Sequence, residues 1–301
     1  METKFSIITP CHNRIGFIGR AIESALLQNY PFEHLIVDGG STDGTLDLLK
    51  RYRHLIISSG PDAGIYDAIN KGIARSKGEF VGILNTDDTY EPGVFLKVAQ
   101  LFLENPEVEV VWGGADEIIQ QPNGSYEQFR VTYPLRPPNT FLRFLNESPN
   151  FNACFFRRAV FAKYGLLNIK WRIVSDLDFL LRLVFQGCNF LAQNDIYYHY
   201  YVHPGSLTFG GAASKDEYLS ELCQVVEQYL SEKSIPDEAI IAFRKMHTNW
   251  RLLLGRYSFE RREFNISLQH LKNAKKFDPD WLKVFTRKIF HRSFYVVSRK
   301  N

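Results

Sequence analysis

The residue types that can do chemistry sit at the ends of short apolar runs. The first such place is VDGGSTDGT, Val37 to Thr45. Asp38 there can accept a hydrogen bond from a nucleobase N–H or a ribose hydroxyl, and the glycines, Gly40 among them, let backbone approach a ligand closely. The same nine residues also suit an ordinary tight turn in which Asp43 or Thr42 caps a helix. The second place is LNTDD, Leu84 to Asp88. Adjacent carboxylates repel unless a cation sits between them and a ligand, and hard divalent ions favour oxygen ligands. Mg²⁺ or Mn²⁺ completed by diphosphate oxygens suits this pair; a solvated turn is the bland alternative.

Three further groups stand downstream. In GIYDAINKGIARSKGEF, Gly64 to Phe80, the residues Asp67, Asn70 and Lys71 fall near the start of a short helix. Lys71 or Asn70 can reach towards a nucleotide, with Asp67 holding a donor hydroxyl or orienting Lys71; a surface ion pair at i, i+4 is the alternative. Asp176 and Asp178 open the helix SDLDFLLRLVFQG, where the helix dipole favours acids. Two apart, they point in different directions, so at most one faces a site, where it can serve as a general base. His203 begins HPGSLTFGGAAS, a loop whose composition suits closure over a substrate.

These residues need a frame that gathers them. Phe5 to Thr9, His34 to Val37, Leu55 to Ser58 and Phe80 to Leu84 read as buried strands. Helices over Phe17 to Leu27, Thr45 to Tyr52 and Tyr66 to Arg75 alternate with them. Strict alternation implies right-handed crossovers and a mostly parallel sheet, with ligands beyond the carboxyl ends of its strands. His12 and Asn13, Asp38 to Asp43, Pro61 and Asp62, and Thr86 to Asp88 converge on that rim. Val108 to Trp112 and Glu127 to Tyr133 read as strands of a more antiparallel section with a Pro-rich connector at Pro134 to Pro138, and the chain from Lys215 reads as helical.

Composition narrows the class. The 301 residues are 45% hydrophobic and 14% aromatic, enough for a sizeable core, which excludes disorder and a collagen-like fibre. A net charge of +3 over that length gives no reason to expect a nucleic-acid partner. Cys11, Cys154, Cys188 and Cys223 form no CxxC pair, which suits buried free thiols in a reducing compartment. METKFSIITPCHNR lacks the apolar stretch of a signal peptide, and no run suits a spanning helix, so a cytoplasmic location is expected.

Taken together, the five motifs resemble the family 2 glycosyltransferases of the GT-A fold, in a bacterial polysaccharide-biosynthesis branch. FSIITPCHNR resembles that family's opening strand, VDGGSTDGT its nucleotide-binding turn, GIYDAINKGIARSKGEF a motif of one bacterial polysaccharide branch, LNTDD its DxD-type metal motif and SDLDFLLRL its EDxxLxxRL helix. The resemblance spans roughly residues 5 to 210 and implies an α/β, Rossmann-like sheet. A GT-A catalytic domain would occupy residues 1–214, with donor binding in 1–90 and the acceptor side and base in 91–214; a helical region with a basic tail would occupy 215–301. It implies an inverting enzyme moving a sugar from a nucleotide-diphosphate donor, UDP-linked by family resemblance, to a glycan or lipid-linked acceptor, with Mn²⁺ or Mg²⁺.

Residue by residue, the resemblance makes Asp176 the base and Pro10, Asn13, Asp38, Gly40, Asp67, Asn70, Lys71 and Asp87 the donor contacts. Asp88 and His203 become the metal ligands. Three departures bear on this: Gly39 stands where many members carry a second Asp, Asn85 opens the DxD-like run, and Ser175 replaces the Glu before Asp176. A QxxRW motif is absent, which argues against a processive synthase. A sugar nucleotidylyltransferase and a non-catalytic sugar-nucleotide scaffold remain the rival readings.

Charge is unevenly spread. Residues 270–301 carry nine Lys or Arg against Asp278 and Asp280, a net of +7, which leaves the other 269 residues at −4. With Trp281, Phe285, Phe290, Phe294 and Tyr295 interleaved, this tail suits peripheral contact with an anionic membrane.

Overall fold

The computed structural model describes residues 4–121, 124–132, 150–203, 212–232, 235–278 and 281–282. The Pro-rich connector at 134–138, most of the loop after His203 and the tail beyond 282 lie outside the described residues.

Met1–His203 form one compact unit and Pro204–Asn301 another. In the first, β1 (Phe5–Cys11), β2 (Phe32–Asp38), β3 (Leu55–Ser59) and β4 (Phe80–Ile83) run parallel in the order β3-β2-β1-β4. Their crossovers are α1 (Ile18–Leu26), α2 (Thr45–Leu49) and α3 (Ile65–Arg75). β1 is buried along its whole length because helices cover both faces of a parallel sheet, so its sequence is mainly apolar, with Ser6 and Thr9 buried and hydrogen-bonded to β2 side chains. Register matters here: Cys11 pairs with Asp38 and Asp38 with Ser59, so the polar residues leave the sheet at one level.

The sheet then changes character. β5 (Thr89–Tyr90), β6 (Val110–Gln120), β7 (Tyr126–Thr132), β8 (Cys154–Arg157) and β9 (Phe190–Val202) continue it in the order β4-β8-β6-β9-β5, with β7 on β6. β8 is antiparallel to β4 and β6, while β9 lies parallel to β6 and antiparallel to β5. Among the described residues this unit also holds helices α4 (Val94–Glu104), α5 (Ala159–Tyr164) and α6 (Ser175–Phe185). Its core is aromatic: Phe5, Phe80, Phe95, Phe102, Phe155, Tyr90 and Tyr198 form one buried cluster beneath α1 and α4. Phe5 stacks on Phe95 at 5.0 Å and meets Phe155 edge-on at 5.8 Å, geometries that add attraction beyond the buried area.

The second unit holds α7 (Ala212–Ser231), α8 (Asp237–Glu260) and α9 (Phe264–Phe277). Its polar centre is Glu227, whose Oε1 lies 2.6 Å from both His247 Nε2 and Arg251 Nη2. Burial works against the charge, but these donors hold the Glu227 carboxyl down to about 2. Among the described residues no helix is long and apolar enough to cross a membrane.

Candidate active site

The loops after β1 and β2 are stitched into one surface. Asn13 adopts φ +53°, which turns its side chain so that Oδ1 accepts from the Thr42 N–H at 2.8 Å. Its own N–H donates to Ser41 Oγ at 2.7 Å, and the Arg14 and Ile15 N–H groups donate to Thr45 Oγ1 and Asp43 Oδ2. Pro10 is buried in β1 opposite Val37.

Asp38 has a different immediate task from the one expected of it. It is 1% exposed, and Oδ2 accepts from the Gly40 and Ser41 N–H groups at 3.0 Å each and from Ser59 Oγ at 2.6 Å. The Ser41 hydroxyl donates to Oδ1. Burial alone would raise this carboxyl, but the donors outweigh it and hold Asp38 below its usual range. The carboxylate thus shapes the turn, and Gly40, at φ +86°, takes the left-handed conformation the turn needs. Gly39 has a steric reason as well: a Cβ there would lie 2.6 Å from Asp62 Oδ2, so the β3 loop occupies the space a second side chain would use.

Asp67, Asn70 and Lys71 each have partners within the protein. Asp67 Oδ2 accepts from the Ala63 N–H at 2.9 Å and pairs with Lys71 Nζ at 2.8 Å, while Lys71 also donates to the Pro61 carbonyl. This is the i, i+4 pair, used to hold the 61–64 loop at the rim. Asn70 turns away to Leu167, donating to its carbonyl at 2.8 Å and accepting from its N–H at 3.1 Å. A side-chain amide matched to both backbone groups of one residue is a tertiary bracket between α3 and the segment before α6.

LNTDD resolves into one inward and one outward carboxylate. Asp88, 1% exposed, accepts from the Tyr198 hydroxyl at 2.7 Å, the Tyr201 N–H at 2.9 Å and Asn85 Nδ2 at 3.2 Å. Burial first, and the neighbouring Asp87 charge second, push it up to about 7. Both Asp88 oxygens accept hydrogen bonds inside the protein, so the carboxylate braces the end of LNTDD against β9. Asp87 is the carboxylate at the rim: its Oδ2 lies 2.9 Å from His203 Nε2. An octahedral ion with ligands about 2.1 Å away has adjacent ligand atoms about 3 Å apart. This pair could offer one carboxylate oxygen and one imidazole nitrogen to a divalent ion at that spacing. Among the described residues no cluster of three or more His, Cys, Asp or Glu is arranged to hold a metal.

Asp176 and Asp178 separate as two positions on a helix must. Asp178 is 4% exposed with Arg182 Nη2 4.0 Å away, whereas Asp176 is half-buried in the first turn of α6. The Tyr66 hydroxyl lies 3.1 Å from Asp176 Oδ1 and 2.7 Å from the Ile173 carbonyl. Since Tyr66 belongs to the first turn of α3, directly after the rim loop, the candidate base is tied to the nucleotide side of the sheet. Tyr66, Ser41, Ser59, Tyr198 and Arg20 were not legible as site residues, because nothing local marks them.

The fold is that of the GT-A glycosyltransferases, as similar solved structures show. Residues 1–349 of Staphylococcus aureus TarS in complex with UDP-GlcNAc superpose with a TM-score of 0.63 at 16% identity, covering 93% of this chain and 92% of that one. The mannosyltransferase PcManGT from Pyrobaculum calidifontis, in complex with GDP-Man and Mn²⁺, does so with a TM-score of 0.61 at 15% identity over 98% and 82%. Residues 6–165 match the family described as Glycosyl transferase family 2, and the chain belongs to that family. A PGL/p-HBAD biosynthesis glycosyltransferase of Mycobacterium bovis is 31% identical over 189 residues, 59% of this chain and 68% of that protein. An uncharacterised glycosyltransferase of Nostoc sp. is 26% identical over 250 residues, 76% and 75%. The protein is thus a glycosyltransferase.

Proposed function

We propose that this glycosyltransferase is an inverting, metal-dependent hexosyl- or hexosaminyltransferase that takes its sugar from a UDP-linked donor. Its acceptor is a hydroxyl of a glycan or lipid-linked intermediate in cell-surface polysaccharide biosynthesis. The observation that carries the reading is the division of labour among three carboxylates: Asp38 buried in the turn, Asp87 paired with His203, and Asp176 half-buried beside Tyr66. The complexes of TarS with UDP-GlcNAc and of PcManGT with GDP-Man and Mn²⁺ support a nucleotide-sugar donor and a divalent ion.

In this reading Asp38 and Gly40 shape the base end of the donor cradle, with Pro10 and Asn13 beneath it, and Asp67 and Lys71 hold the loop at its edge. Asp87 and His203 hold Mn²⁺ or Mg²⁺, which when bound supplies positive charge against the diphosphate. Asp176 takes the proton of the acceptor hydroxyl as its oxygen forms a bond to the anomeric carbon. The bond from that carbon to the diphosphate breaks on the opposite face, and the nucleoside diphosphate leaves with the electron pair.

Residues 1–214 would then form the catalytic domain and 215–301 a helical region whose net +7 tail meets the cytoplasmic membrane surface at its periphery. A chain truncated after Asp278 should sediment less with anionic liposomes than the full chain; equal sedimentation refutes this part. The central test is a thermal-shift screen of nucleotide sugars with and without Mn²⁺, followed by turnover with the donor that stabilises most. No metal-dependent stabilisation by any nucleotide sugar overturns the reading.

A further inference from the structure

Helix α1 grips the segment that follows LNTDD through one stripe of polar side chains. Arg20 Nη2 donates to the Asp87 carbonyl at 2.6 Å. Four residues on, Ser24 Oγ accepts from the Tyr90 N–H at 3.3 Å, and four beyond that, Gln28 Nε2 donates to the Glu91 carbonyl at 3.0 Å. Gln28 Oε1 also accepts from the Phe95 N–H. Arg20 and Ser24 lie on one face of α1 and Gln28 follows just past its end, so one short segment fixes the backbone from Asp87 to Glu91. Ser24 and Gln28 are buried, at 8% and 4% exposure, and serve packing as much as position.

The N-terminal end of the stripe differs, because it meets the Asp87 and His203 pair. The Arg20 guanidinium lies over the Tyr201 ring, 3.5 Å from its centroid, and the Tyr201 N–H holds Asp88 Oδ1. One turn earlier, the Phe17 ring stacks on the His203 imidazole with centroids 4.8 Å apart and planes at 18°. Arg20 therefore fixes the backbone carrying one member of the pair, and Phe17 fixes the ring plane of the other. A side chain that sets the orientation of a ligand without touching the ion typically changes metal affinity about 10- to 100-fold when lost.

We propose that Arg20 and Phe17 are positioning residues that hold Asp87 and His203 at metal-binding separation. This rests on the metal role given to that pair above. Arg20 is suited to test it because its side chain lines an open cavity of about 720 Å³, so shortening it enlarges space already open to water.

The experiment measures Mn²⁺ affinity by calorimetry, with UDP present, on the full chain and its variants. Arg20→Met should weaken Mn²⁺ binding about tenfold, leave metal-free UDP binding unchanged and shift the thermal midpoint little. Arg20→Lys should recover part of the loss, and Phe17→Leu should reproduce it independently of Arg20. Asp87→Ala is the control that separates the two levels of the argument. If it abolishes metal-dependent binding while Arg20→Met and Phe17→Leu leave Mn²⁺ affinity intact, the positioning inference falls alone. If Asp87→Ala itself leaves Mn²⁺ affinity intact, the metal reading falls and takes the inference with it.

Discussion

The Tyr66 hydroxyl lies 3.1 Å from Asp176 Oδ1 although the two residues are 110 positions apart. It joins the helix after the rim loop to the helix that carries the candidate base, alongside the Asn70 bracket to Leu167.

Removing the base should therefore cost more than removing its partner. Asp176→Asn is expected to abolish transfer while donor binding, followed by calorimetry with UDP and Mn²⁺, stays within about twofold. Tyr66→Phe deletes one hydrogen bond to a charged group, worth about 1.5 kcal/mol, and should lower kcat about tenfold with KM for the donor nearly unchanged. Transfer by Asp176→Asn at the wild-type rate would remove it from the mechanism.

Asp87 and Asp88 should respond oppositely to truncation. Asp88→Ala leaves the Tyr198 hydroxyl and the Tyr201 N–H without their acceptor, and each buried orphan costs about 1–3 kcal/mol, so the denaturant midpoint should fall sharply. Asp87→Ala removes a rim carboxylate and should leave the midpoint nearly unchanged while metal-dependent UDP binding is lost. Equal destabilisation by the two would contradict the inward and outward assignment.

Two glycines test close approach. A Cβ at Gly72 would lie 2.4 Å from Cγ2 of the fully buried Ile8, so α3 must move off β1, and Gly72→Ala should cost about 1–3 kcal/mol of stability. At Gly39 the neighbour is the mobile end of Asp62, which also accepts from the Gly64 N–H at 2.9 Å. Gly39→Ala should displace that carboxylate and raise the donor KM several-fold with little change in melting temperature.

His34 sets the acid side of the stability profile. Fully buried in β2, with Nε2 2.9 Å from Thr9 Oγ1, it is driven down to about 3, by burial first and by His54 second. The unfolded chain takes up a proton near pH 6.5 and the folded chain does not. The stability that His34 contributes is therefore present above about pH 6.5 and is lost progressively as pH falls towards 3. Denaturation midpoints against pH should fall over that window, and His34→Gln should flatten the curve. A parallel fall in the variant would assign the slope to other groups.

The parallel half was legible because it obeys local rules. Short, mainly apolar runs such as Leu35 to Val37 in β2 and Phe80 to Ile83 in β4 mark buried strands, and polar residues at their ends mark the rim. Strand β6 was harder: its first residues read as a strand, but it continues to Gln120 by pairing with β9 and β7, partners remote in the chain. The Asp67 and Lys71 pair kept its i, i+4 geometry, yet its use in holding the 61–64 loop depends on where that loop closes.

What the sequence determined by itself is which residue types stand at the carboxyl ends of the strands, because a period of apolar burial needs no distant partner to be seen. What only the tertiary structure decided is the direction each of those side chains takes. Asp88 turns inward because Tyr198, 110 residues later, offers its hydroxyl. Asp87 meets His203, 116 residues later, over a backbone fixed by Arg20, 67 residues earlier. Hydrogen bonds across such separations exist only once the sheet has brought β9 and α1 to either side of one turn.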